Sequence, residues 1–132
     1  MNIVEAGLYS ALSNDSDITD AVGGEHIFNS VAPQGQARPY IIYVFTGGGH
    51  ENINPSELIN VSYMVKAVAD DGTEAGDIDA LIQAALHKQT LTVTGYTNFY
   101  THREEEMQLV ETAGDGTLIH HHGAQYRIRI DD

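Results

Sequence analysis

The sequence predicts an α+β fold, with a mainly antiparallel sheet and with an N-terminal helix and a central amphipathic helix packed on one face. Ile78, Leu81, Ile82, Ala85 and Leu86 recur at helical spacing between Thr73 and Lys88, an apolar stripe that needs a sheet to cover. Tyr40 to Phe45 is a continuous β-branched and aromatic run, the composition of a central strand buried on both faces. Leu58 to Ala69 and Thr117 to Ile130 alternate apolar with polar residues, as half-buried strands do.

In chain order, Val4, Leu8, Ala11 and Leu12 share one helical face between Ile3 and Leu12, interrupted by Gly7. A polar stretch from Ser13 to Asp17 leads to a further helical turn, Ile18 to Val22, stopped by Gly23 and Gly24. His26 to Val31 carries a weak strand signal. Ala32 to Arg38 reads as a turn and connector, and Pro39 can open the strand that follows because its missing N–H falls where the ladder begins. Thr46 to Ser56, with Gly47, Gly48 and Gly49, then His50, Glu51, Asn52 and Pro55, reads as an exposed loop joining two antiparallel strands.

The central helix has Thr73 as its expected N-cap, acids Glu74, Asp77 and Asp79 near its start, and His87 and Lys88 at its end, the order the helix dipole favours. Leu91 and Val93 suit a half-exposed strand that Gly95 to Asn98 bends or bulges. From Phe99 the pattern is mixed: Arg103 to Glu106 has helical propensity, and strand is expected from Glu105 onward. Ala113 to Gly116 is a turn signal, so the last two strands form a hairpin with Tyr126, Ile128 and Ile130 toward the core and Arg127 and Arg129 outward. Pro33, Gly35, Pro39, Tyr40, Ile78, Leu81, Ile82 and Ala85 are the expected fold-defining positions. No repeat or linker divides the chain, so residues 1–132 are expected to form one domain.

The 19 acids against 6 bases give a formal charge of −13, which disfavours phosphate-backbone binding because that affinity comes from Lys and Arg. No cysteine is present, which excludes disulfides, thiol catalysis and thiolate metal sites. Met1 to Glu5 lacks the basic and apolar segments of a signal peptide, and no apolar run could span a bilayer, so a soluble protein is expected.

Reactive constellations are scarce. On a strand, His120 and His122 would project to one face roughly 6.6 Å apart, close enough to share an ion, but no third ligand is near and an exposed His-rich hairpin is the plainer reading. The Gly47 to Gly49 run lacks the Lys-Ser/Thr of a phosphate-binding loop, and no serine sits in a Gly-x-Ser-x-Gly frame. Glu104, Glu105 and Glu106 read as a solvated face. Neither a catalytic residue nor a cofactor is expected.

Asp17 to Gly24, His26-Ile27-Phe28, Ala32-Pro33-Gln34-Gly35 with Pro39 to Tyr43, and the closing Tyr126 to Asp131 strand, taken in order, resemble the tail-completion proteins of long-tailed bacteriophages, also called tail terminator or tail-to-head joining proteins. The sharpest piece is Ala-Pro-Gln-Gly to Pro-Tyr. The departures are the glycine stretch after Phe45 and the histidine hairpin.

The resemblance implies a non-enzymatic subunit of the virion, made in the host cytoplasm and placed at the tail–neck junction. Such a subunit forms a ring, usually of six copies, that ends the tail tube and meets the major tail tube protein and a neck or head-completion protein. A neck or head-completion ring is the alternative within the class, and a small metal- or ligand-binding domain the alternative outside it. Gly47, Gly48, Gly49, His50, Glu51, Asn52, Gly114 and Asp115 are the expected partner-contacting loop residues. DNA would pass through the ring without sequence-specific contact, along a channel that the acidic residues are expected to line.

Overall fold

The computed structural model describes residues 2–52 and 57–131. Among them the chain folds as α1 (Asn2–Ser13), α2 (Ser16–Val22), β1 (Ile27–Asn29), β2 (Tyr40–Asn52), β3 (Glu57–Ala69), α3 (Gly72–Leu86), β4 (Thr92–Val93), β5 (Tyr96–Thr112) and β6 (Leu118–Asp131). The strands form one sheet in the order β1-β2-β3-β6-β5-β4. Every pairing is antiparallel except β1 with β2. The α+β expectation holds, with the helices packed over one face.

The core lies between that face and the helices. Val61, Tyr63 and Val65 of β3 and Ala124, Tyr126, Ile128 and Ile130 of β6 meet Val4, Leu8 and Leu12 of α1 and Ile78, Ile82 and Leu86 of α3 in one buried cluster. The period-2 alternation of β3 and β6 therefore does the work expected of it, with Arg127 and Arg129 turned to the opposite, open face. These two strands, rather than β2, occupy the centre of the sheet; β2 is buried on successive residues only at Ile41, Ile42 and Tyr43, and Phe45 is exposed.

The stripe of α3 is shifted from the expected one. Ala75, Ile78, Ile82 and Leu86 are its buried residues, while Leu81 and Ala85 only pack against the edge of the core. Asp71, not Thr73, is the N-cap, its carboxylate accepting from the Thr73 N–H at 2.9 Å. The helix ends at Leu86 with His87 as C-cap, so His87 and Lys88 follow it rather than forming its last turn. In α1, Gly7 is buried against β4, and glycine is needed there because a Cβ would lie 2.6 Å from the Thr92 carbonyl oxygen.

Two further expectations are corrected. The stretch after Phe45 is not a loop: β2 runs on through Gly47, Gly48 and Gly49 to Asn52, paired with Glu57 to Ser62 of β3. A bulge between Phe45 and Gly47 makes this possible, and it brings the backbones so close that a Cβ on Gly48 would lie 2.2 Å from the Asn60 carbonyl oxygen, with φ at 102°. The rest of the expected loop, Ile53 to Ser56, falls outside the described residues. Second, β5 starts at Tyr96, well before Glu105, and β4 keeps only Thr92 and Val93 in a tight hairpin with it.

The Pro33 to Gln36 turn closes through the Gln36 N–H on the Pro33 carbonyl at 3.0 Å, with Gly35 at φ 83°, the third-position geometry of a type II turn. Pro39 immediately precedes β2, and the Tyr40 ring meets Phe28 edge to face.

Candidate assembly surfaces

The open face of the sheet is polar, and its side chains hold one another across four strands. Arg127 donates to Glu104 on β5 at 2.9 Å and to the Asn60 amide oxygen on β3 at 3.0 Å. Asn60 donates to Glu51 on β2 at 2.7 Å, and Arg129 reaches the same carboxylate at 3.4 Å. Thr46 donates to Gln125 at 2.8 Å, beside a shallow basin of about 500 Å³ lined by Gly47, Gly48, Ser62, Glu104, Glu105 and Arg127, among others. An apolar pocket with a few convergent polar groups is the usual form of a small-molecule site, and this open polar basin lacks that form.

On the helical side Arg103 is the organising charge. Its guanidinium makes a two-pronged bond to Asp79 of α3, at 2.9 and 2.7 Å, and donates to the Tyr126 hydroxyl at 2.9 Å. Those bonds raise the arginine further above its already high ordinary value, against the opposing effect of burial. Burial in turn pushes the Tyr126 hydroxyl up. A register shift between Arg103 and Glu106 leaves Glu104 on the open face and Arg103 under the helix, and Glu104, Glu105 and Glu106 are all exposed, as a solvated run should be. Nothing in the sequence pairs Arg103 with a helix residue 24 positions away, and that clamp was invisible to pattern reading.

The histidines occupy different surroundings from those expected. His120 and His122 are half-buried beneath the first turns of α3, where a Cβ on Gly72 would lie 3.2 Å from the His120 ring and one on Gly76 3.4 Å from the His122 ring. They are therefore not an exposed hairpin; the Gly72/Gly76 spacing, one turn apart, was the available signal. Among the described residues no group of three or more His, Asp or Glu is placed to hold a metal ion. His121, on the other face, bonds Glu111 at 2.6 Å and ties the two strands of the β5–β6 hairpin together.

A second histidine cluster was not foreseen. Tyr100 and His102 stack with centroids 4.1 Å apart, and His87 meets His102 edge-on at 5.2 Å. The His87 Nδ1 accepts from the Arg103 backbone N–H at 2.9 Å, so in the neutral ring Nε2 carries the proton and offers no lone pair to a metal. Burial, then the nearby His102, Lys88 and Arg103, hold His87 below the ordinary histidine value.

The expected contact residues fall at opposite ends of the sheet. Gly47 to Asn52 lie on β2 near the β2–β3 hairpin end, whereas Gly114 and Asp115 lie in the β5–β6 turn. There Asp115 accepts from the Thr117 N–H at 2.9 Å, and bonds from Thr117 hold its carboxyl below the usual range.

Between these ends run strand edges with no neighbour among the described residues. β1 covers β2 only opposite Ile41 to Tyr43, with the Ser30 N–H adding a bond to the Tyr43 carbonyl. β4 covers β5 only at Tyr96 and Thr97, and the end of α3 covers Thr101 and Arg103 through Lys88 and His87. Large apolar side chains are exposed on these same segments: Phe45 (41%) on β2, and Leu109 (49%), Val110 (53%) and Leu118 (49%) on the β5–β6 arm. Such an arrangement suits association with protein better than chemistry on a small molecule.

Comparison with known families decides the class. The model of the family described as tail completion protein gp17 matches residues 6–131. The chain belongs to that family. It is a structural protein of a phage tail and a component of the virion. Among solved structures, a chain of the virion of a native gene transfer agent particle superposes with a TM-score of 0.72 at 13% identity, covering 96% of this chain and 93% of that one; the likeness is one of fold. Comparison with curated proteins finds no sequence match. No helix among the described residues is long and apolar enough to cross a membrane.

Proposed function

We propose that this tail completion protein assembles as a ring, of six copies, that ends the tail tube and joins it to the head. Its partners are further copies of itself, the major tail tube protein on one side and a neck or head-completion protein on the other. The observation that carries the reading is the family match from residue 6 to residue 131, which spans the helices, the sheet and both open edges. The edges support it physically: they differ in sequence and lie on opposite sides of the sheet, so contacts between copies are heterologous and close into a ring when the rotation permits.

The Gly47 to Asn52 segment and the Gly114–Asp115 turn, at opposite ends of the sheet, are the residues we assign to contacts with partners, a neighbouring copy of the chain among them. No catalytic residue, cofactor or metal is part of this function. DNA would pass through the ring without sequence-specific contact. The exposed acids Asp17, Asp20, Glu25, Glu74 and Asp77 belong to the helical layer and its connections, whereas on the open face Glu104 and Glu51 pair with Arg127 and Arg129, and Glu111 with His121. An acid-lined channel therefore requires the helical layer to face the DNA.

The test is to tag the protein and locate it in assembled particles by electron microscopy, together with light scattering of the purified chain. Density at the head-proximal tip of the tail, with six-fold rotational symmetry, is the expected result. Density along the tube or at the distal tip would refute it, and density confined to the head side of the neck would favour a head-completion ring.

A further inference from the structure

We propose that the two open strand edges pair with each other between copies of this chain, the β5 arm of one subunit from Glu104 to Thr112 lying against the β2 edge of the next from Val44 to Glu51. This rests on the ring reading and names the contact that would close it. The first support is Gly49. It lies mid-strand with no left-handed backbone angle, and a Cβ there would meet nothing within 4 Å, so nothing in the subunit itself calls for glycine. Glycine weakens a strand, and one of its recurring uses is to admit a second backbone or side chain at close range.

The surfaces also match by face. The register puts Gly47 and Gly49 on the open face opposite Ser62 and Asn60, and it puts Met107 and Leu109 on that same face beside Gly123 and His121. Paired edges would lay the apolar side chains of one copy over the bare glycines of the other. On the helical side Val110 and Phe45, both exposed, would come to the same face.

Charge selects the pairing. Two β5 arms laid edge to edge would bring Glu104, Glu105, Glu106 and Glu111 of one copy against the same acidic set of the other, which like charges across a ladder make unfavourable. From Val44 to Glu51 the β2 edge carries only Glu51 as an acid, so the acidic arm meets a nearly neutral partner. The edge stretches without a neighbouring strand among the described residues also run to opposite ends from a common level, since Val44 pairs with Met64, which pairs with Gln125, and Arg103 and Glu106 straddle Gln125 on β5. Joining them staggers each subunit against the next, as tilted strands are staggered in a closed barrel.

The absence of cysteine makes the test clean. Gly49→Cys and Leu109→Cys are introduced together, with Gly47→Cys and Leu109→Cys as a second pair that samples a neighbouring register, and folding is checked by circular dichroism. Mild oxidation, of the concentrated protein and of assembled tails, is expected to move most of the chain into a covalent ladder ending at the ring, while each single variant stays monomeric. Dimers from Leu109→Cys alone would overturn the proposal in favour of like-with-like pairing, and a single variant cross-linked to another virion protein would overturn it in favour of a different occupant. A ring seen by light scattering or microscopy with no ladder from either pair would overturn the edge contact and leave the ring standing. No oligomer in solution or on tails would overturn both.

Discussion

Replacing Arg103 with methionine tests the account of how α3 is held to the sheet. The Arg103 and Asp79 side chains are 7% and 14% exposed, and they share two charge-assisted bonds, with a third from Arg103 to Tyr126. Removing the guanidinium alone leaves the Asp79 carboxylate without its partner in a poorly solvated place, which for buried pairs costs about 3–5 kcal/mol. At roughly 3 °C per kcal/mol for a chain of this size, Tm should fall by about 10–15 °C. Urea unfolding followed by circular dichroism measures the loss, read as a lower midpoint at unchanged slope. The double variant Arg103→Met with Asp79→Leu should recover most of it, because an apolar pair of similar volume no longer strands a charge. A single-variant loss below about 1 kcal/mol, or a double variant as unstable as the single one, would show that the clamp is ornamental to the fold.

Ile82→Asp should leave the protein unfolded or aggregated, because Ile82 is fully buried, whereas Leu81→Asp at the core margin should give folded protein with a lowered midpoint; equal loss in both would misplace the stripe. Gly48→Ala should destabilise by more than 1 kcal/mol on the order expected for a forced backbone shift, while Gly49→Ala should leave thermal stability nearly unchanged, as scanning calorimetry would show. His87 has its folded-state value below the ordinary 6.5, so the stability it contributes is complete above that value and is lost as pH falls through the lowered one. Between those two values the Arg103 amide, bonded to His87, should lose hydrogen-exchange protection, and protection constant from pH 7.5 to 5 would contradict the linkage.

Pattern reading succeeded where burial is regular. β3 and β6 pack one face on helices and leave the other open, so their alternation was legible, as were the α3 stripe in outline and the β5–β6 hairpin from its Gly-Asp-Gly turn. It failed where a bulge resets the period. Three consecutive glycines after Phe45 look like a loop, yet the bulge lets β2 continue and Gly48 is required by the nearness of β3 rather than by flexibility. The shift beside Arg103 likewise hides which of Arg103 and Glu104 faces the helix, and their partners, Asp79 and Arg127, are remote in sequence. The Gly47 to Asn52 segment, expected as a loop, lies in a strand, and pattern reading missed it because an unpaired strand edge has no composition of its own.

On the ring reading proposed above, a subunit whose described residues leave two strand edges unpaired must avoid using them before its partners are present. Most proteins cover or shorten such edges, because an unpaired ladder recruits any other strand. Here the protection is electrostatic and local: Glu104, Glu105, Glu106 and Glu111 guard the β5 arm, and the formal charge of −13 keeps copies apart at low ionic strength. The β2 edge has little charge of its own, and Gly47 to Gly49 offer no side chains with which to hold a second β2 edge in register. Each edge is thus a poor match for itself and a better match for the other. A head-to-tail preference of this kind forms a ring where the rotation closes and a filament where it does not, so the stagger between edges, rather than their affinity, would determine that the assembly stops at a fixed number of copies.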